Sequence, residues 1–478
     1  MAYSFRFRRR SIPIIVLGLF LLYTFRDSNR FSLTPNVSHP TTEDHGRFWS
    51  SFHELLEAAE PKCKSPERIV DHPEAIGFKP DEVHKLTLPE HIKVETEDRE
   101  VLKKAHSLFM QVLSSVTSPR LAYRKGTRGI VSTAGGSQLP VFVTSLHMIR
   151  RTGSKLPVEL FVADASEYDE YVCEELFPTL NARCVVLDDI LQSSPLREGL
   201  KKYQFKIFSL LFSSFEDVMF LDADAFPMSN PDLLFTSEPF KSKGMIIWPD
   251  FWQVTFHPSF FEITSQPVPT SFRHSSTESG QFIVSKKTHE QVLLLSTYYN
   301  FYGPSHYYPL LSQGHPGEGD KETFVPPALI LNKPYYAVST GPAVFGYDDG
   351  NGGWRGGVMM QINPIWDSKL APGEVYAWTD KPNAPPNSFL TCHANLPKIE
   401  PQEAFGENGL VWTADGKPKR MWGSAENMID RIGIDIEAQL WVELKNTACK
   451  LEGNWGPWEG KPRLCGKIKQ FIHDMKGH

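Results

Sequence analysis

Short apolar segments alternate with amphipathic ones between residues 129 and 221. The apolar segments predict strands, and the amphipathic ones predict helices, among them Pro140–Arg151 and Glu198–Ser213. The predicted strands are Gly129–Thr133, Val158–Ala163, Cys184–Leu187 and Val218–Leu221. A run of βα units implies an α/β fold with a mostly parallel sheet and helices on its faces. In such sheets a ligand lies beyond the carboxyl ends of the strands.

Two carboxylates follow the last of these strands, Asp222 and Asp224, with Ala223 between them. If the strand continues through Asp224, both acids lie on one face of the sheet. Carboxylate oxygens suit Mg²⁺ or Mn²⁺, which proteins often hold together with substrate phosphates. The pair therefore predicts a cation site, although a solvated surface turn is an alternative for an isolated Asp-x-Asp.

Three residues at the exit of the first strand are candidates for contact with a nucleotide: Thr133, Gly135 and Gly136. Glycines there allow the backbone to approach a ligand closely. Lys206, on the helix before the acid pair, is a further candidate, because its charge can offset a phosphate or orient an aspartate. An ordinary turn and a solvated helix face are the alternatives.

Further candidates lie in the second half of the chain. His393 ends a predicted strand, Phe389–His393, and a neutral imidazole can supply a third metal ligand. Glu278, Asp320 and Glu322 are candidates for hydrogen bonds to sugar hydroxyls or for stabilising an oxocarbenium-like centre. Core packing, helix capping and solvated turns are the alternatives for these residues.

The N-terminus predicts a membrane anchor. Four arginines at positions 6 to 10 precede an apolar run from Ser11 to Phe25, and no small-residue cleavage site follows it. We expect residues 1–10 to be a cytoplasmic tail, 11–25 a signal-anchor helix and 26–95 a lumenal stem. Residues 96–478 are then the catalytic domain, with a Trp-rich cap over residues 405–478.

Composition limits the functional classes. The chain has 478 residues and a formal charge of −6, and its basic residues are scattered beyond the N-terminus, so nucleic-acid binding is not expected. Asn36-Val37-Ser38 is a glycosylation acceptor. Six cysteines without a Cys-x-x-Cys make a zinc site improbable and leave 15 disulfide connectivities open, while a free buried thiol at Cys392 is an alternative. A Gly-rich segment, residues 346–357, is expected to be a loop.

Five segments together resemble the fungal Golgi α-mannosyltransferases that build mannan outer chains. They are Gly-Ile-Val-Ser-Thr-Ala-Gly-Gly from Gly129, Phe-Leu-Asp-Ala-Asp from Phe220, Trp-Pro-Asp from Trp248, Glu-Ser-Gly-Gln from Glu278 and Gly-Asp-Lys-Glu-Thr-Phe from Gly319. The resemblance implies a type II Golgi membrane enzyme with a GT-A fold, GDP-mannose as donor, Mn²⁺ as cofactor and retention of the α configuration. It also implies a mannosylated glycan as acceptor, with an α-1,2 or an α-1,3 linkage formed.

On this resemblance, Asp224 binds Mn²⁺ directly, Asp222 binds the ion or the ribose, and His393 completes the protein ligands. Lys206 helps to stabilise the departing diphosphate, and Glu278, Gln281 or Asp320 positions donor and acceptor. Two other functions stay open: a transferase with a UDP-sugar donor, and a non-catalytic lumenal lectin or scaffold in a transferase complex.

Overall fold

The computed structural model describes most of the chain from Pro40 to Met475. The described ranges are 40–78, 84–85, 88–115, 118–196, 199–269, 271–272, 275–348, 353–376, 388–394, 398–405, 411–413, 416–458 and 463–475. The predicted tail, signal anchor and glycosylation acceptor lie outside these ranges. Within them, no helix combines the length and the apolar character that a membrane span requires.

Eleven strands of the described part form two sheets. They are β1 Arg124–Thr133, β2 Val158–Val162, β3 Ala182–Val186, β4 Phe215–Leu221, β5 Ala225–Pro227, β6 Met245–Pro249, β7 Thr277–Ser285, β8 Tyr336–Ala337, β9 Ala343–Asp348, β10 Trp354–Ile362 and β11 Phe389–His393. The larger sheet has the order β8-β6-β7-β4-β1-β2-β3, and the smaller one has the order β9-β10-β11-β5. Two-residue strands also pair, Glu67–Arg68 with Ile92–Lys93 and His84–Lys85 with Ser271–Phe272.

The larger sheet is mostly parallel, as predicted. β1 pairs in parallel with β2 and β4, β2 with β3, and β8 with β6. Only β7 runs against its neighbours, β4 and β6. The parallel strands therefore direct their carboxyl ends, including the end of β4 at Leu221, toward one edge of the sheet.

Helices cover both faces of this sheet. The longer ones are α1 Thr42–Ala58, α2 Thr96–Leu113, α3 Leu139–Arg151, α4 Gln204–Phe212, α5 Lys286–Phe301, α6 Ala425–Ile432, α7 Ile436–Leu451 and α8 Leu464–Met475. Shorter α-helical or π-helical segments are Tyr171–Leu176, Phe177–Thr179, Leu187–Leu191, Phe240–Lys243, Pro258–Ile263, Gly303–Tyr307, Tyr308–Ser312, Val325–Ile330, Pro364–Asp367 and Pro401–Ala404. Turns of 3₁₀ type cover Gly136–Gln138, Pro231–Thr236, Lys321–Thr323 and Gly456–Trp458.

Alternate side chains of the strands enter two different hydrophobic cores. Ile130 of β1 lies in one core with α3, α7 and α8, whereas its neighbour Val131 lies in the other with α1, α2, α4 and α5. The C-terminal helices are joined to α3 by polar contacts as well, since Thr144 Oγ1 donates to Thr447 Oγ1 at 2.9 Å. The predicted cap is thus packed against the sheet domain.

Part of the predicted stem belongs to this body. Helix α1 buries Trp49, Phe52 and Leu56 completely in the second core, and Trp49 Nε1 donates to Ser194 O at 2.8 Å. A stem ending at residue 95 was expected because polar residues and prolines dominate the composition of residues 26–95. The apolar stripe of α1 nevertheless matches an uncovered face of the sheet domain.

The Gly-rich loop prediction is wrong. Strands β9 and β10 occupy much of residues 346–357 and pair antiparallel, with a register shift between Phe345 and Gly346. Apolar side chains such as Phe345 and Val358 bury one side of the hairpin in the first core, and this tertiary packing outweighs the low strand propensity of glycine. Helix α4 also begins later than expected, at Gln204, because Lys202 has a left-handed backbone with φ of 46°.

Two disulfides connect four of the six cysteines: Cys173–Cys184 and Cys449–Cys465. Cys63 and Cys392 are free thiols, and Cys392 is fully buried in β11. The alternative of a free buried thiol at Cys392 is therefore confirmed.

Candidate active site

The acid pair lies in a turn between the two sheets. Strand β4 ends at Leu221, and Asp222 O accepts the Ala225 amide at 3.0 Å before β5 begins. Asp222 N donates to Gly280 O of β7 at 2.8 Å, and Ala394 N donates to Asp224 O at 2.9 Å. The two carboxylates are thus brought together by a turn fixed from both sides, and not by a continuing strand.

The smaller sheet brings His393 to this turn. Strand β11 pairs with β5 so that His393 stands opposite Ala225, directly after the acid pair. Its Nε2 lies 3.2 Å from Asp224 Oδ1. One ligand atom from each of Asp222, Asp224 and His393 lies within 4.8 Å of the other two. The three residues predicted as metal ligands therefore converge, and two oxygens with one imidazole nitrogen suit a cation such as Mn²⁺.

Glu278 holds the other nitrogen of the imidazole ring. His393 Nδ1 lies 3.1 Å from Glu278 Oε1, which also accepts the Gly280 amide at 2.6 Å. A Cβ atom on Gly280 would lie 2.5 Å from the His393 ring and 2.6 Å from Glu278 Oε1. Glycine at position 280 is therefore what permits this close contact, and Glu278 acts on His393 directly.

Lys206 lies beneath the acid pair, where it is 5% exposed. Its Nζ donates to Ser279 O at 2.7 Å and forms ion pairs with Asp320 Oδ2 at 3.1 Å and Asp222 Oδ1 at 3.4 Å. The side chain thus ties Asp222 to Asp320. Of the two roles predicted for Lys206, this geometry favours orientation of an aspartate.

Lys398 is a site residue that the sequence analysis missed. Its Nζ lies 3.0 Å from Asp224 Oδ2, while half of its side chain is exposed. It follows His393 by five residues, and a lysine shortly after a strand-exit histidine was the available signal. Because it is accessible from the cleft, its ammonium can leave Asp224 for an incoming anion.

The charges of the site reinforce one another. Burial alone would raise the pKa of Asp224, but His393 and Lys398 outweigh it and hold that pKa below its usual range. Burial would lower the pKa of His393, but Asp224 and Glu278 outweigh it and hold that pKa well above its usual range. Burial likewise opposes the charge of Lys206, yet Asp222 and Asp320 keep its pKa above the ordinary value. A cation bound here would therefore replace a proton on His393.

The site opens into a cleft of about 710 Å³. Its lining also includes residues to which the sequence analysis assigned no role: Lys202, Tyr203, Asp250, Thr277, Lys321 and Met359. Tyr203 is half exposed, and a Cβ on Gly319 would lie 2.7 Å from its ring, so one edge of the ring packs on the Gly319 backbone. A larger cavity, about 790 Å³ around Cys63 and His306, lies apart from these acids.

A small cavity of about 180 Å³ has lining residues in common with the cleft, at the ends of β1 and β2. Thr133 and Lys202 line both spaces. Of the two glycines predicted to contact a nucleotide, Gly135 lines the small cavity, whereas Gly136 lines neither space. Glu167, which belongs to none of the motifs of the sequence analysis, is the carboxylate in its wall.

Two predicted catalytic residues do not reach the cleft. Gln281 is fully buried in β7, and no described residue accepts from or donates to its amide. Glu322 is buried as well and accepts from Ser276 Oγ and from Thr277 N at 3.0 Å, so it stabilises the start of β7. Asp320 does line the cleft, where Lys206 and Ser279 engage its carboxylate.

A family model for mannosyltransferases matches residues 127–275 and 270–363, which contain the acid pair and Glu278. Three similar relatives carry the name alpha-1,2-mannosyltransferase. MNN23 of Candida albicans is 30% identical over 86% of this chain and 81% of its own length. MNN21 of the same organism is 32% identical over 81% of this chain and 67% of its own length. MNN2 of Saccharomyces cerevisiae is 30% identical over 82% of this chain and 76% of its own length.

Among solved structures, the galactosyltransferase LgtC is 12% identical with a TM-score of 0.28, over 44% of this chain and 73% of its own. The glycosyltransferase GlyE of Streptococcus pneumoniae is 11% identical with a TM-score of 0.29, over 44% of this chain and 45% of its own.

An α/β sheet with a carboxylate-lined cleft at its strand ends, in a chain with these relatives, defines a glycosyltransferase. The chain belongs to the family of fungal α-1,2-mannosyltransferases. The family resemblance predicted from the sequence is thereby confirmed.

Proposed function

We propose that this mannosyltransferase has a GT-A-type fold and transfers mannose from GDP-mannose to a hydroxyl of a mannosylated glycan, with retention of the α configuration and with Mn²⁺ bound. The observation that carries the proposal is the convergence of Asp222, Asp224 and His393 within 4.8 Å in the cleft. The relatives' names support an α-1,2 linkage.

The three converging residues would hold the cation through two carboxylates and one imidazole nitrogen. When bound, such an ion neutralises charge on the diphosphate leaving group. Lys398 supplies a second positive charge at the same place, because its Nζ already lies 3.0 Å from Asp224 and its side chain is half exposed. Lys206 keeps Asp222 oriented from below.

The carboxylates of the cleft do not offer a free nucleophile among the described residues. Asp250 is paired with Lys321, Asp320 with Lys206, and Glu278 with His393. We therefore propose attack on the same face as the departing group. The bond from the anomeric carbon to the diphosphate breaks, the bond to the acceptor oxygen forms, and the acceptor proton passes to the departing phosphate oxygen.

The test uses the full-length chain purified in detergent and a panel of nucleotide sugars. We expect mannose transfer from GDP-mannose with Mn²⁺, and loss of transfer after EDTA. Asp224→Ala should abolish transfer and the rise in melting temperature caused by Mn²⁺, whereas Asp430→Ala, an exposed aspartate of α6, should change neither. Transfer from a UDP-sugar instead, or sugar binding without turnover, would replace this proposal with one of the two other functions.

We also propose that the catalytic body faces the Golgi lumen behind a single N-terminal anchor. The two disulfides support an oxidising compartment, and the charge pattern of residues 1–25 supports the orientation. Protease treatment of intact microsomes should leave the body uncut. Digestion of the body without detergent would contradict this orientation.

A further inference from the structure

The small cavity beside the cleft has the position that a nucleotide base requires. It lies at the carboxyl ends of β1 and β2, and it has Thr133 and Lys202 in common with the cleft that contains the acid pair. Ligands of open α/β sheets occupy this edge. A diphosphate near Asp222 and Asp224 would therefore leave its nucleoside directed toward the small cavity.

The walls of the cavity suit a planar ring. Phe161 and Phe205 both line it, and Phe161 is 1% exposed while Phe205 is half buried. Aromatic faces stack on any base, so these two residues favour a heterocycle without selecting one. The selection has to come from a polar group in the same wall.

Three polar side chains line the wall, those of Thr133, Lys202 and Glu167, and Glu167 is the acceptor that matches paired N–H donors of a base. It is the one carboxylate among the described residues of the cavity wall. Its Oε2 accepts the Ala163 amide at 3.0 Å, and a Cβ on Gly135 would lie 2.1 Å from Oε2 and 2.4 Å from Oε1. Since Gly135 has an ordinary extended backbone with φ of −152°, the glycine is needed for space, and the carboxylate lies directly on the main chain.

We propose that Glu167 is the residue that selects guanine, an inference that rests on the proposed GDP-mannose donor. Guanine presents two adjacent donors, N1–H and the exocyclic N2 amine, which match the two oxygens of an ionised carboxylate. Uracil presents one N–H between two carbonyl oxygens, and a carboxylate repels those oxygens. The same cavity therefore accepts a guanine nucleotide and rejects a uracil nucleotide.

Calorimetric titration of the full-length protein with GDP, IDP and UDP in Mn²⁺ tests the inference. IDP lacks only the exocyclic amine, so the wild type should bind it roughly 10- to 100-fold more weakly than GDP, the effect of one hydrogen bond to a charged group. E167Q should lose most of this preference. E170Q is the matched control, an exposed glutamate three residues away and outside the cavity, and should keep it.

A second variant tests the position of the Glu167 carboxylate while its charge is kept. G135A should displace Glu167 and reduce the preference for GDP over IDP, with Mn²⁺ binding unchanged. If E167Q keeps the wild-type ratio of GDP to IDP affinity, or if the wild type binds GDP and IDP equally, Glu167 does not read guanine and the donor proposal stands. If the wild type binds UDP and not GDP, the donor proposal itself fails.

Discussion

Glu278 fixes the imidazole of His393, with 3.1 Å between Glu278 Oε1 and His393 Nδ1. A carboxylate on one ring nitrogen sets the tautomer and leaves the other nitrogen available to a cation. That other nitrogen, Nε2, faces Asp224. Glu278, expected from the sequence to position donor or acceptor, thus orients the imidazole that we propose as a metal ligand.

Removal of this carboxylate should weaken cation binding. We expect Glu278→Ala to lower Mn²⁺ affinity by about 10- to 100-fold, and Glu278→Gln to lower it less, because the amide oxygen still accepts from Nδ1. Electron paramagnetic resonance of free Mn²⁺ measures both. Equal Mn²⁺ affinity in Glu278→Ala and the wild type would show that Glu278 does not orient His393.

Gly280 should be intolerant of even one methyl group. In Gly280→Ala the new Cβ would lie 2.5 Å from the His393 ring, so we expect the histidine to move and both Mn²⁺ binding and transfer to be lost. Gly466→Ala in α8 is the control, because its nearest neighbour lies 4.0 Å away. That variant should keep full activity, and a similar loss in both would point to a general folding defect.

Site residues at the ends of strands were predicted from the sequence more accurately than site residues in loops. His393 reaches the acid pair because β11 of the antiparallel smaller sheet pairs with β5, which the carboxyl-end rule for parallel sheets does not cover. The places of Asp222, Asp224 and His393 at strand ends were nevertheless predictable. Lys398 and Glu167 were not, because their positions depend on loops and on how the small sheet docks. The prediction for Gln281 was wrong. Its motif also contains Glu278, but Gln281 is fully buried and does not line the cleft, because successive side chains of a strand point to opposite faces.

Two lysines of the site should respond differently to the same substitution. Lys398→Met removes a half-exposed charge, and we expect about tenfold weaker GDP binding with little change in the free energy of unfolding. Lys206→Met leaves Asp222 and Asp320 without their buried partner and should lower the free energy of unfolding by about 3–5 kcal/mol. GDP titration and urea unfolding of both variants measure these effects. Wild-type GDP affinity in Lys398→Met would rule out its contact with the diphosphate.

Lys286 should make stability depend on pH. Its Nζ is fully buried at the start of α5 and donates to Leu211 O at 3.1 Å and Ser213 O at 2.6 Å, the last carbonyls of α4 and its cap. Burial lowers the pKa of Lys286 to about 7, and Glu159 and Glu290 offset it only in part. Glu159 and Glu290 are therefore the charged groups that act on Lys286, since burial lowers the pKa of the nearby His45 imidazole to about 3 and keeps it neutral.

Because the unfolded chain keeps this proton up to an ordinary lysine pKa, the unfolded state binds more protons than the folded state above pH 7. The free energy of unfolding should therefore rise with pH in that range, by up to about 1.4 kcal/mol per pH unit from this group. Urea unfolding at pH 7, 8 and 9 should show this gain in the wild type and in Lys287→Met, an exposed neighbour, and not in Lys286→Met. Parallel pH profiles for the wild type and Lys286→Met would mean that Lys286 stays charged in the folded protein throughout.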